Sequence, residues 1–250
     1  MAQLVEYVNK RIVLSFFLLC MAGCDPKAAE NNPANPHFTM KLEEIFDSEC
    51  ARRIARDSLY SELSKKKDHH PCFSSINEKG RDGLTPVFWA IRNRDAAAVS
   101  LMLGLGARPD VQLAGDFKHS SYISYASFSH SNEILRQLLE AGADPASYGD
   151  RGYHSLDTAI SVDNIEGLLL LLEAGVNPGV TNSQGSPIIV RAVAAGKFQA
   201  AWLLLENGAD PHQSAPNGLG VRRLIDAYGC DVPLSEKLWC HRFVEQVYEK

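Results

Sequence analysis

Apolar residues recur along this chain on a period far longer than a helical turn. Adjacent pairs stand at Met102-Leu103, Leu138-Leu139, Leu171-Leu172 and Leu204-Leu205, each four and three residues ahead of a glycine: Gly106, Gly142, Gly175 and Gly208. Sixteen residues before each glycine is an alanine, at Ala90, Ala126, Ala159 and Ala192. Seven before each alanine is a turn residue, at Gly83, His119, Gly152 and Gly185. The closing glycines are 36, 33 and 33 residues apart. Each opens a short phrase that ends in proline: Gly106-Ala107-Arg108-Pro109, Gly142-Ala143-Asp144-Pro145, Gly175-Val176-Asn177-Pro178 and Gly208-Ala209-Asp210-Pro211. A glycine there fits the residue after a helix end, where a positive φ is required and a Cβ is penalised. The proline cannot continue a helix, so the chain leaves extended or in a turn. Between alanine and glycine there is room for two short helices, and each unit reads as turn, helix, helix, turn. A fixed period of this size marks a stacked array of repeats; an ordinary helical bundle has no reason to keep one.

The first unit carries the segment Asp82-Gly83-Leu84-Thr85-Pro86-Val87-Phe88-Trp89-Ala90. It resembles the D-x-x-G-x-T-P-L-H-x-A segment of the ankyrin repeat, slightly shifted, with Val for Leu and Phe for His. Later copies depart further, to Ser155-Leu156-Asp157-Thr158-Ala159 and Ile188-Ile189-Val190-Arg191-Ala192. The resemblance covers about Ile76 to Ala227 and implies an all-α solenoid of stacked helix-turn-helix units, with short hairpin or turn fingers and helical caps at both ends.

Ahead of the repeats, Lys10-Arg11 precedes an apolar run from Ile12 to Ala22. Such a run covers roughly 17 Å as a helix, too short for a hydrocarbon core of roughly 30 Å. It reads as the apolar region of a signal peptide. Its end, Met21-Ala22-Gly23-Cys24, looks like a bacterial lipobox, which implies cleavage before Cys24 and lipidation of that cysteine; plain secretion is the alternative. Asp25 follows, and in enterobacterial lipoproteins that residue implies retention at the inner membrane, facing the periplasm. Residues 25–37, rich in Pro and Asn, read as a tether. The apolar pattern Leu42, Ile45, Phe46, Ile54, Leu59 and Leu63 predicts a helical N-terminal cap, a worn repeat ending at Ile76-Asn77. At the other end Gly218-Leu219 starts a fifth unit in phase with Gly185, and Pro233 opens a last helix with Leu238, Trp239, Phe243 and Val247 on one side. The chain thus divides into a signal peptide (1–23), lipidated cysteine and tether (24–37), N-terminal cap (38–80), four repeats (81–216) and C-terminal cap (217–250).

Removing residues 1–23 takes away Glu6, Lys10 and Arg11 and leaves 23 basic and 29 acidic residues, net −6. That balance argues against a general nucleic-acid binder. Cys50, Cys72, Cys230 and Cys240 then remain, two in each terminal region and none in the central repeats. In an oxidising compartment this suggests Cys50–Cys72 and Cys230–Cys240 as staples on the ends of the array; buried free thiols are the alternative.

No catalytic glycine loop, serine elbow or zinc-binding helix motif occurs. Asp68-His69-His70-Pro71-Cys72 only superficially resembles an acyltransferase D-H-H-C string, and as a metal site it lacks a fourth ligand at useful spacing. His119, His130, His154 and His212 fall at turns, where surface hydrogen bonding is the default. No catalytic residue, metal or cofactor is therefore expected. In the ankyrin family partners lie across the hairpin tips and the first helix of each repeat, which places Arg92, Phe117, Phe128, Arg151 and Tyr153 on the expected protein-binding surface. The alternative for Phe117 and Phe128 is that they tuck into the solenoid. The resemblance implies a non-catalytic, lipid-anchored protein, monomeric when free, that binds a protein partner. Lipoproteins of this kind are often immunity proteins against a secreted toxin such as a type VI secretion phospholipase. An adaptor or stabiliser of a resident envelope protein or periplasmic oxidative-stress enzyme is the second reading, and an enzyme with an unrecognised site is the third.

Overall fold

The computed structural model describes residues 46–55, 76–111, 113, 121–149 and 153–249, all within the unit Thr39–Lys250. Cys24 and the other N-terminal features, His69, His70, Cys72, Phe117, His119 and Arg151 lie outside the described residues.

Eleven α-helices are described: α1 (Glu49–Ala55), α2 (Pro86–Arg92), α3 (Ala96–Gly104), α4 (Tyr122–Phe128), α5 (Asn132–Glu140), α6 (Ser155–Ser161), α7 (Ile165–Glu173), α8 (Ile188–Ala194), α9 (Phe198–Glu206), α10 (Val221–Tyr228) and α11 (Leu234–Glu249). They alternate between two rows. The first helices of successive units, α2, α4, α6, α8 and α10, pack side by side, as do the second helices α3, α5, α7, α9 and α11. Helix α1 packs on α2, in line with the first row, and contributes buried Ile54, beside buried Phe46.

Backbone hydrogen bonds explain the recurring residues. The repeat alanines Ala90, Ala126, Ala159 and Ala192 are at most 3% exposed, since a larger side chain would hold the helices apart. Their carbonyls accept the N–H groups of Asp95, Ser131, Asn164 and Lys197, closing each first helix with a 6→1 bond. The residue in between takes a positive φ, at Arg94, His130, Asp163 and Gly196. Only the last is glycine. A non-glycine residue in this left-handed conformation costs about 1–2 kcal/mol, which His130 and Asp163 offset by reaching the next unit. The His130 ring Nε2 lies 2.9 Å from the Val162 carbonyl, and Asp163 forms a 3.0 Å ion pair with Lys197.

Second helices end in the same way. The N–H groups of Gly106, Gly142, Gly175 and Gly208 donate to Leu103, Leu139, Leu172 and Leu205, and the following residue donates to Met102, Leu138, Leu171 and Leu204. The apolar pair thus has two roles, with its first side chain in the core and both carbonyls terminating the helix. In the phrase that follows, the carboxylate or amide oxygen of Asp144, Asn177 or Asp210 accepts the N–H two residues on, which fixes the turn. Arg108 cannot do this; there the Asn77 side chain accepts the Arg108 N–H at 2.7 Å and donates to the Gly106 carbonyl.

The fingers between units are short antiparallel turns. Isolated bridges pair Tyr148 with His154, Thr181 with Pro187 and Ser214 with Gly220, and equivalent N–H···O bonds join Gly80 to Leu84, Gly149 to Tyr153, Asn182 to Ser186 and Ala215 to Leu219.

At the C-terminus α11 is longer than the other helices and covers the last face of the array. Its core side is Glu236, Cys240, Phe243 and Val247; of the expected stripe Phe243 and Val247 are buried, whereas Leu238 is 59% exposed and Trp239 only half-buried. Two anchors set this rotation. The Cys230–Cys240 disulfide is formed. The Glu236 carboxylate accepts the Gln199 N–H at 2.9 Å, supplying an acceptor that the α9 N-cap residue Lys197 does not. Arg222 closes the far end by donating to the Val247 carbonyl. Cys50 is also disulfide-bonded; its expected partner Cys72 is outside the described residues.

Gly208 has φ +99°, and a Cβ added there would meet no atom within 4 Å. Gly208→Ala should therefore test conformation alone and lower stability by about 1 kcal/mol. A urea midpoint shift at unchanged slope would show it, and an unchanged midpoint would contradict the positive φ.

Candidate functional site

The first-helix row places one half-buried residue per unit immediately before the repeat alanine: Trp89, Tyr125, Thr158 and Arg191. The residue before that faces inward, as Phe88, Ser124, Asp157 and Val190. This register comes from the helix starts. Thr85 caps α2 by accepting the Phe88 N–H, Ser121 caps α4 by accepting the Ser124 N–H, and His154 Nδ1 caps α6 by accepting the Leu156 N–H.

Units one and two are joined by aromatic side chains. The Thr85 and Tyr122 hydroxyls share a buried 2.6 Å hydrogen bond, and the Phe88 ring stacks on Tyr122 and meets the edge of Tyr125, both at 5.2 Å. Burial raises the pKa of both tyrosines, against the hydrogen bond to Thr85 for Tyr122 and against the Arg92 and Arg94 charges for Tyr125. The Arg92 guanidinium lies 5.5 Å from the centre of the Trp89 ring, and partial burial lowers its pKa against the effect of Tyr125.

Units three and four are joined by charge. Asp157, 1% exposed, accepts from Arg191 Nε at 2.7 Å, and the same guanidinium lies 5.0 Å from the Tyr153 ring centre. The second carboxylate oxygen of Asp157 is buried without a hydrogen-bond partner. Burial therefore outweighs Arg191 and pushes the Asp157 pKa up to about 6. His154 is also buried, 1% exposed, with its ring edge-on to Tyr148 at 5.3 Å; it is an internal helix cap and not the surface histidine expected of a turn. Burial lowers its pKa, opposed by the Asp144 carboxylate. The third finger lies on the second unit: a Cβ on Gly149 would fall 2.7 Å from Ser124 Cβ, so the backbone approach admits only glycine.

Of the residues expected to bind a partner, Arg92 stands at the end of α2 over Trp89, Phe128 is half-buried at the end of α4, and Tyr153 supports Arg191 ahead of α6. Phe117 and Arg151 are not described. The sequence reading passed over Trp89, Tyr125 and Arg191. Their signal was present, since each precedes a repeat alanine, but which side of a seven-residue helix is left open depends on its packed neighbours. The surface offers aromatic faces and guanidinium groups, the side chains that dominate protein interfaces. Among the described residues no group of three His, Cys, Asp or Glu is placed to hold a metal ion, and no helix is long and apolar enough to cross a membrane.

Arg191→Met should leave Asp157 buried without its ion-pair partner and destabilise the protein by about 3–5 kcal/mol, read by urea unfolding; a loss below 1 kcal/mol would mean that the carboxylate is solvated. Acidification separates the two buried titrating groups. The folded-state pKa of Asp157 is raised, so its contribution is fully present below the unfolded-state value of about 3.9 and is lost as pH rises through about 6. The folded-state pKa of His154 is lowered, so its contribution is present above about 6.5 and lost as pH falls. The stability of wild type relative to Asp157→Asn should thus increase on going from pH 7 to pH 4, by on the order of 2 kcal/mol. A difference independent of pH would refute the burial assignment.

No family model matches the chain. Among curated proteins it is 32% identical over 85 residues to Palmitoyltransferase AKR1 of Kluyveromyces lactis, a match covering 34% of this chain and 11% of that protein. Among solved structures it is similar to an ankyrin repeat domain from Acinetobacter baumannii AYE, with TM-score 0.64 and 22% identity over 80% of this chain and 99% of that one. It is also similar to the ankyrin repeat protein EF0377, with TM-score 0.61 and 22% identity over 82% of this chain and 98% of that one. With its period, its paired helix rows and its fingers, the chain has the ankyrin-repeat fold.

Proposed function

We propose that this protein is a non-catalytic scaffold that binds a protein partner through its fingers and first-helix row. The observation that carries the reading is the row of half-buried residues at one position of successive first helices, Trp89, Tyr125, Thr158 and Arg191, with Arg92 beside Trp89 and Tyr153 beside Arg191. Such side chains bury large areas or make several directed hydrogen bonds at little cost in rotamer entropy.

The more specific proposal joins this surface to the N-terminal signal. Lipidation at Cys24 and Asp25 after it would hold the domain at the periplasmic face of the inner membrane. An inhibitor tethered where a secreted lipase attacks acts at a raised local concentration. On this reading the protein is an immunity protein for a secreted toxin such as a phospholipase.

Co-expression of the full chain with a secreted hydrolase encoded beside it should yield a stoichiometric complex in which the hydrolase is inactive. The double variant Phe128→Ala, Tyr153→Ala should lose at least about 1–2 kcal/mol of binding while its far-ultraviolet circular dichroism is unchanged. Capture of an enzyme that stays active would replace inhibition by an adaptor role, and hydrolysis by the isolated chain that is abolished by His69→Ala or Cys72→Ala would overturn the scaffold reading.

A further inference from the structure

Helix α11 ends the array, yet its outer side is not that of a solvated cap. A terminal unit keeps a repeat protein in solution by turning a polar face outward. Here Leu234 and Leu238, one turn apart on that side, are 85% and 59% exposed, more than any other large apolar side chain among the described residues. The core side of the helix is Glu236, Cys240, Phe243 and Val247. At about 3.6 residues per turn the opposite side carries Leu234, Leu238, His241, Glu245 and Tyr248, and all five are exposed. Their steps of four, three, four and three residues form a straight seam of the kind that packs one helix on another.

That seam is complementary to its own reverse about His241. Leu234 stands seven residues before it and Tyr248 seven after; Leu238 stands three before and half-buried Val244 three after; Lys237 stands four before and Glu245 four after. A two-fold contact between identical chains has this property, since residue i meets j of the partner and j meets i. Antiparallel helices crossing at His241 bring each leucine to an apolar or aromatic side chain and each ammonium to a carboxylate, twice over. Parallel helices would set Lys237 against Lys237 and Glu245 against Glu245, so charge fixes the direction. The surface is also prepared. The Tyr248 hydroxyl donates to Asp226 and the Arg222 guanidinium lies 5.3 Å from its ring centre, which holds the ring in place. Arg242 is drawn aside over Trp239, at 5.5 Å from that ring centre.

We propose that this face binds a second copy of the chain: two α11 helices pack antiparallel about a two-fold axis at His241, each Leu234 on the partner's Tyr248 and each Lys237 beside the partner's Glu245. This goes beyond the protein-binding reading and replaces the monomer that the family resemblance implies. One helix from each protomer, about 21 Å from Leu234 to Tyr248, gives an interface at the small end of the range for specific contacts, so the dimer is a weak one. The first-helix row takes no part in it.

Sedimentation velocity on the full chain, loaded from about 1 μM to about 300 μM, should show a passage from monomer to dimer. Leu238→Glu, at an exposed position, should weaken association at least about ten-fold with Tm unchanged. Lys237→Glu and Glu245→Lys each replace two attractions by two repulsions and should each weaken it about ten-fold. An equimolar mixture of these two variants should recover wild-type association, because every Glu then faces a Lys; misfolded chains could not do this. A chain still monomeric at about 300 μM, association that Leu238→Glu leaves unchanged, or charge variants that fail to recover on mixing overturns the proposal. Binding of the monomer to phosphatidylglycerol vesicles that is lost in Leu238→Glu, with no dimer in solution, would also overturn it and assign the face to lipid. The scaffold reading stands or falls separately, on capture of the co-expressed hydrolase through Phe128 and Tyr153.

Discussion

Each helix pair in this protein has apolar residues on both flanks and can cover neither by itself, so the structure depends on contact between neighbouring units. The buried side chains Val99, Leu135, Leu168 and Ala201 occupy equivalent places on successive second helices, and Val87, Ile123, Leu156 and Ile189 do so on the first. Burying them depends on the helices stopping at the right length, which is why helix termination recurs more faithfully than any other feature. A helix that ran one turn further would carry the next finger out of register with its neighbour. The same dependence explains the ends. A terminal unit lacks one neighbour, and here α11 closes the last face with a longer helix, a disulfide and the carboxylate of Glu236 at the N-terminus of α9.

Within that frame, several positions have changed their chemistry while keeping their role. Helix capping passes from Thr85 and Ser121 to the imidazole of His154, which acts as an acceptor only when Nδ1 is unprotonated. The inward position occupied by Phe88 becomes Asp157 in the third unit, and Arg191 arrives from the fourth to neutralise it. A buried carboxylate with one oxygen unpartnered is not a stabilising device by itself. It ties units three and four to each other by a directional contact, where units one and two use stacked rings. The array therefore has an aromatic half and a polar half, and Gly149 brings the third finger onto the second unit between them.

Function on such a scaffold is a matter of surface. Residues that serve packing are inside the rows, and those left over are what the proposed partner would meet. His130 and Asp163 belong to the first group, since their side chains reach the next unit.

The period, the two helices per unit, the closing glycines and the fifth unit beginning at Gly218 were all legible in the sequence, because they are set by local backbone chemistry: a positive φ asks for glycine, a proline ends a helix, and an apolar pair at fixed distance marks the buried face. The Cys230–Cys240 pairing was legible for a related reason, being short-range and isolated from the other cysteines. What sequence alone could not decide was rotation and partnership. Leu238 was expected in the core and is exposed, because the disulfide and Glu236 together turn α11 and bring Cys240 inward. His154 was expected at the surface and is buried, because the finger residue Tyr148 covers it. Trp89, Tyr125 and Arg191 emerged as one surface only when adjacent helices were in place. Both helices of a unit were expected between its alanine and its glycine, whereas each first helix begins four residues ahead of the alanine, at Pro86, Tyr122, Ser155 and Ile188. The sequence by itself determined the period and where each second helix ends, because a closing glycine acts locally; the tertiary structure decided which side of each helix remains open, since that depends on residues thirty or more positions away.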